Sequence, residues 1–99
     1  MDMESLMAQA AELQNKVAVA QEKLAQTNVK GIAGNGACII DMTGKYDVQK
    51  VTIHPSVLSQ GADAVSAAVL AAIKDAKEKA DVLIDKVMGE ATAGMPMPQ

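Results

Sequence analysis

Apolar residues recur at Met3, Leu6, Ala10, Leu13, Val17, Ala20 and Leu24. This alternation of three and four is an a/d seam held for three heptads, and it predicts one long helix over residues 2–28. Neither Gly nor Pro interrupts it. At 1.5 Å per residue such a helix is about 40 Å long. The period then changes. In GIAGNGACII (31–40), two apolar runs flank an Asn-Gly step, the strongest short hairpin signal. A type I′ turn centred on Asn35-Gly36 sets Ala33 opposite Cys38, Ile32 opposite Ile39, Gly31 opposite Ile40 and Lys30 opposite Asp41. One face then carries Val29, Ala33, Cys38, Ile40 and Met42. The other carries Ile32 and Ile39 beside a Lys30–Asp41 charge pair. Gly36 supplies the positive φ of the turn, and Gly31 leaves room for a close approach to the sheet.

A second turn, TGKY (43–46), leads to a third strand, DVQKVTI (47–53), whose register leaves room for a bulge. Pro55 breaks that strand and starts a short helical turn over residues 55–60. The last helix is expected over residues 63–88, with Asp63 as N-cap and Gly89 as its stop. Its stripe is Val65, Val69, Ala72, Ile73, Ala76, Ala80, Leu83 and Val87. Residues 89–99 read as a flexible tail. The whole, residues 1–99, is one α+β domain: long helix, three-stranded antiparallel sheet, long helix. Strands of about seven residues span roughly 23 Å, whereas each helix is near 40 Å. The helices are therefore expected to pack on one another and project past the sheet as an arm. The outer sheet face with Ile32 and Ile39 needs a cover, and a second copy of the chain is the simplest one.

Composition sharpens this picture. Tyr46 is the sole aromatic residue of the 99, so the core is built from thin helices and benefits from a second chain. Cys38 is alone, which excludes an intrachain disulfide and suits a reducing compartment. The acidic start MDMESLMAQA does not read as a signal peptide, and no apolar run approaches the roughly 20 residues of a membrane span. A cytoplasmic protein is expected. The formal net charge is −3, and every one of the nine basic residues is Lys. Without Arg, bidentate reading of guanine loses its main side chain.

Signals for catalysis are poor. His54, the single histidine, stands before Pro55 at a strand end and reads as a surface residue. Cys38 alternates with Ile40 on a buried face and reads as a packed thiol. One His and one Cys cannot build a zinc site. Gly34-Asn35-Gly36 is followed by a strand, whereas phosphate loops open a helix. No catalytic residue, metal ligand or cofactor is assigned, and the chain is not read as an enzyme.

The lysines are arranged. Lys16 and Lys23 both take heptad position g, beside the seam, while Glu4, Glu12 and Glu22 point away from it. In the last helix, at about 100° per residue, Lys79 and Lys86 flank one side of the stripe and Lys77 the other. Asp75, Glu78, Asp81 and Asp85 fall on the outer arc, within Lys74–Glu78, Asp75–Lys79 and Lys77–Asp81 pairs that read as solvated. Lysine stems covering a seam give such a pattern. So does a basic inner surface that grips a polyanion between two arms.

The order of elements also resembles the YbaB/EbfC family of bacterial nucleoid-associated proteins, over nearly the whole chain. The resemblance rests on Val29, Gly31, Ala33, Gly34 and Gly36, on Met42, Gly44 and Lys45, and on Val51, Ile53, Pro55, Ser56 and Leu58. Ile32 and Ile39 stand where charged residues are common in that family, and His54 where an acid is usual. The resemblance implies a tweezer-like homodimer that binds double-stranded DNA in the nucleoid and acts on nucleoid organisation and gene expression. It implies no small-molecule substrate, and it places the glycine-rich hairpin in a central dimer platform. Joined to the lysine pattern, it gives Lys16, Lys23, Lys77, Lys79 and Lys86 as DNA-binding residues and Ile32 and Ile39 as interface residues. Contacts would be to phosphate and DNA shape, with little base readout. The alternative is a helical protein-interaction adaptor without direct DNA binding; acidity and Met-rich ends suit it.

Overall fold

The computed structural model describes residues 2–93. It shows α1 (Met3–Gln26), β1 (Asn28–Ala33), β2 (Cys38–Thr43), β3 (Val48–Ile53), α2 (Pro55–Leu58) and α3 (Ala62–Thr92). The strand order is β1-β2-β3, all antiparallel.

Asp2 caps α1, its Oδ1 accepting from the Ser5 amide at 2.8 Å. This bond to the ionised form holds the Asp2 carboxyl below the usual carboxylate range. The helix ends two residues earlier than the seam suggests. There the Gly44 amide, in the β2–β3 turn, donates to the carbonyls of Leu24 (2.9 Å) and Thr27 (3.0 Å). The end of α1 is thus tied to the sheet through a glycine whose added Cβ would sit 2.8 Å from the Leu24 side chain.

The β1–β2 register is the expected one, from Lys30 opposite Asp41 to Ala33 opposite Cys38. At the tip, Asn35 has φ 58° and ψ 36°, Gly36 has φ 98°, and the Ala37 amide donates to the Gly34 carbonyl at 3.2 Å. These are the features of a type I′ turn. The third strand carries a bulge: Asp41 pairs with Lys50 but Met42 pairs with Val48. His54 caps α2, with Nδ1 accepting from the Ser56 amide at 3.1 Å.

The last helix departs from expectation at both ends. Gly61 is its N-cap, with Asp63 inside the first turn, and it continues through Gly89 to Thr92. A glycine weakens a helix by about 1 kcal/mol but does not end it when the flanking turn is packed. Val87, Met88 and Ala91 pack with Ala20 and Leu24 of α1, which holds that turn in place. Residues 89–92 are therefore helix, and the remaining tail residues 94–99 lie outside the described residues.

Two clusters form the interior. In the first, Ala72, Ala76 and Ala80 of α3 lie against Ala33, Cys38, Ile40 and Met42 of the sheet. Cys38 and Ile40 are fully buried. In the second, the C-terminal parts of α1 and α3 pair antiparallel beyond the sheet. The molecule measures 67 × 22 × 16 Å, so the expected arm is present. Only the latter part of the α1 seam is covered: Ala20 and Leu24 are buried, while Met3 and Leu6 are 71% and 45% exposed.

Gly31 sets the spacing of the first cluster. An added Cβ there would lie 2.0 Å from the Ala72 carbonyl oxygen and 2.6 Å from the Ala76 Cβ and amide nitrogen. Gly36 is the converse, with open space but φ 98°. Gly31→Ala is expected to destabilise the fold by about 3 kcal/mol or more, since backbone must move, and Gly36→Ala by about 1–2 kcal/mol. Urea unfolding of the two variants checks the order.

Candidate nucleic-acid interface

The helix pair has two sides. On one, a shallow groove of about 190 Å³ is bordered by Lys16, Val19 and Lys23 from α1 and by Glu90 and Ala91 from α3. At 100° per residue, Lys79 and Lys86 project from α3 toward this same side. Lys16 and Lys23 thus border one side of the arm, helical spacing adds Lys86 to that side, and Lys79 lies on the same flank of α3 but over the sheet. Lys77 projects to the other, where a cavity of about 390 Å³ lies between Gln21, Leu24, Tyr46, Ile84 and Met88. That side is also shaped by Tyr46, whose φ is +65° and whose hydroxyl donates to Asp81. The bond to the carboxylate pushes the Tyr46 phenol above its ordinary value.

The lysines differ in what they already hold. Lys16 pairs with Glu12 at 3.5 Å on the surface, a weak contact in water. Lys79 is committed inside the subunit. Its Nζ donates to the Lys30 carbonyl at 2.8 Å and pairs with Asp75 at 2.9 Å. Asp75 in turn accepts from the Ile32 amide at 2.8 Å. The helical wheel puts Asp75 on the outer arc and its pair with Lys79 in solvent. The pair is present and partly exposed, but both side chains also bond the edge of β1. A wheel ranks positions by apolarity and cannot show which flank of a helix meets a strand edge. Likewise Asp81 accepts from Tyr46, a contact that spacing within the helix could not reveal.

Ile32 is 46% exposed and Ile39 half-buried, on the outer face of the sheet. Asp41 on that face has a solvent-shielded Oδ1 without a hydrogen-bond partner among the described residues. More apolar surface is open elsewhere, at Val48 and Val51 of β3, at Leu58 and at Leu70 of α3. Cys38 is a buried free thiol, and His54 is engaged in capping. Among the described residues no group of three or more His, Cys, Asp or Glu could hold a metal ion, and no helix is long and apolar enough to cross a membrane.

Against known proteins, residues 1–95 match the model of the YbaB/EbfC DNA-binding family. The chain belongs to that family. Nucleoid-associated proteins of Neisseria meningitidis serogroups A and B are each 40% identical to it over 94 residues, covering 92% of this chain and 85% of theirs. An uncharacterized protein of Helicobacter pylori shares the fold, with TM-score 0.79, 17% identity and coverage of 91% of this chain and 96% of that one. The YbaB/EbfC proteins are a DNA-binding family and not an enzyme family. The glycine and proline positions that carry the resemblance are accounted for by this fold: Gly31 under α3, Gly34 and Gly36 in the turn with positive φ, Gly44 on Leu24 and Pro55 at the start of α2.

Asp75 is held below the usual carboxylate range, first by Lys79 and then by the Ile32 amide. Its folded-state value is depressed, so its contribution to stability is full above the ordinary carboxylate value. That contribution is lost as pH falls through the folded value. Between pH 5 and pH 2 the wild type should lose more stability than Asp75→Asn, as urea midpoints at each pH would show.

Proposed function

We propose that this protein is a nucleoid-associated protein that binds double-stranded DNA as a homodimer, through lysine contacts to phosphate and through DNA shape, and so influences nucleoid organisation and gene expression. Its place in the cell would be the nucleoid, as the names of its Neisseria relatives state for those proteins. Membership in a DNA-binding family supports the ligand. The observation that carries the site is the border that Lys16 and Lys23 form along one side of the arm, which helical spacing extends to Lys86. Each sits beside the apolar seam, and its stem can reach outward while its ammonium group meets a phosphate. Lys77, on the opposite side, would serve a second DNA contact only if the duplex wraps the arm. Lys79 would contribute charge but has its Nζ occupied at β1. An acidic, Arg-free chain fits moderate affinity with slight sequence preference.

Phosphate contacts release counterions, so affinity should fall linearly on a log–log salt plot, with a slope near −0.9 per neutralised phosphate. Lys23→Gln/Lys86→Gln keeps helix propensity. It should weaken binding to all duplex sequences and flatten the slope by about 0.9 for each phosphate no longer neutralised. Lys45→Gln/Lys50→Gln on the sheet side is the control. Fluorescence anisotropy at four salt concentrations reads both. Loss of binding in the control pair alone would move the DNA surface to the sheet. A wild type that ignores DNA at low salt would favour the adaptor reading, for which the exposed Met3, Leu6 and Met7 of α1 are the supporting observation.

The dimer is supported by the uncovered sheet face with Ile32 and Ile39 and by the exposed Val48, Val51 and Leu70. Sedimentation equilibrium at micromolar concentration should report about twice the 10.3 kDa chain mass. If Ile39 lies in the interface, Ile39→Lys should dissociate the dimer, because a charge is buried without a partner. Val51→Lys is the comparison. Dissociation by Val51→Lys alone would place the partner over β3 and α3.

A further inference from the structure

We propose that the outer edge of β1 is a strand-pairing surface for a second copy of this chain, and that the Asp75–Lys79 pair of α3 holds it shut. β1 is a terminal strand of the sheet. On its open side the alternating backbone groups include the Ile32 amide and the Lys30 carbonyl, which flank Gly31. These two groups take Asp75 Oδ2 and Lys79 Nζ, each at 2.8 Å, and the two side chains are joined at 2.9 Å. The helix thus offers the strand one acceptor and one donor.

The occupant follows from the same geometry. If two β1 strands pair antiparallel about Gly31, Lys30 of one lies opposite Ile32 of the other. The Ile32 amide then donates to the Lys30 carbonyl of the second copy, and the Lys30 carbonyl accepts from the Ile32 amide of that copy. Asp75 stands where that carbonyl would be, and Lys79 where that amide would be. The pair imitates the neighbouring strand at both central bonds. A groove of about 320 Å³ lined by Asp75, Glu78, Lys79 and Val82 opens beside it, giving an extended chain room to approach. The exposed Ile32 adds an apolar contact to any strand that pairs there. With β3 as the other terminal strand, a free β1 edge would give each subunit two sticky borders, and association at both borders does not close. Closing β1 with a charged pair leaves one.

The test uses the whole chain. Asp75→Ala/Lys79→Ala leaves the net charge unchanged and places two strong helix formers in α3. Lys74→Ala/Asp85→Ala, also neutral in net charge, removes two exposed charges of α3 that line neither the groove nor the edge of β1. Sedimentation velocity from 10 to 500 μM and amide hydrogen exchange are measured on all three proteins. The expected result is a weight-average mass of the Asp75/Lys79 variant that rises at least twofold above the wild type with concentration, without a plateau. The control pair should follow the wild type. Adding Lys30→Pro to the Asp75/Lys79 variant removes the outward Lys30 amide, which a new strand also needs, and should return the wild-type mass, since proline is tolerated on an open edge. A folded Asp75/Lys79 variant with wild-type mass at all concentrations overturns the proposal. If that variant does not fold, the wild type decides. An Ile32 amide that exchanges as freely as an unstructured one shows an open edge and overturns the proposal. Protection of at least 100-fold supports it.

Discussion

Everything in this fold hangs on the close approach of α3 to the sheet at Gly31. The helix presents alanines, not larger side chains, along the contact: Ala72, Ala76 and Ala80. With a glycine opposite them, helix backbone and strand backbone come close enough that even one methyl group does not fit. Little apolar volume is available in a chain with a single aromatic residue, so close packing of small groups has to substitute for large ones. The same approach brings Asp75 and Lys79 to the edge of β1, where longer side chains at the contact would have held them off.

That approach also fixes the arm. Once α3 is seated on β1 and β2, its C-terminal part runs past the sheet and needs a partner for Leu83, Ile84 and Val87. The end of α1 supplies it through Ala20 and Leu24. Gly44 locks the junction, its amide bonded to the last turn of α1. The acids and lysines along the arm are then displayed on defined sides, with Lys16 and Lys23 on one border and the Tyr46–Asp81 contact across from them. A basic line can therefore exist on a protein whose net charge is −3.

Long apolar periods and turn chemistry are legible in the chain itself. The heptad run of α1, the Asn35-Gly36 turn, the register from Lys30–Asp41 to Ala33–Cys38 and the break at Pro55 depend on neighbours in sequence, so local rules suffice. The bulge in β3 is open in the sequence and is settled by pairing with β2. Gly89 does not stop α3 because its intrinsic cost is local, while the packing of Val87 and Ala91 on α1 that offsets it is not. Asp63 yields the cap to Gly61, whose φ of 102° only a glycine adopts readily.

The sequence by itself determined the elements, their order, the buried face of the hairpin and the family, because each is encoded in spacing along one chain. Tertiary structure alone decided which flank of α3 meets the edge of β1. It thereby made the Asp75–Lys79 helix pair a partner of Ile32 and Lys30 as well, 43 and 49 residues away. It also decided which part of the α1 seam is covered and which is left open. The physical reason is that a hydrogen bond between elements depends on their relative rotation and offset, and those are set by how small side chains such as Gly31 and Ala76 pack.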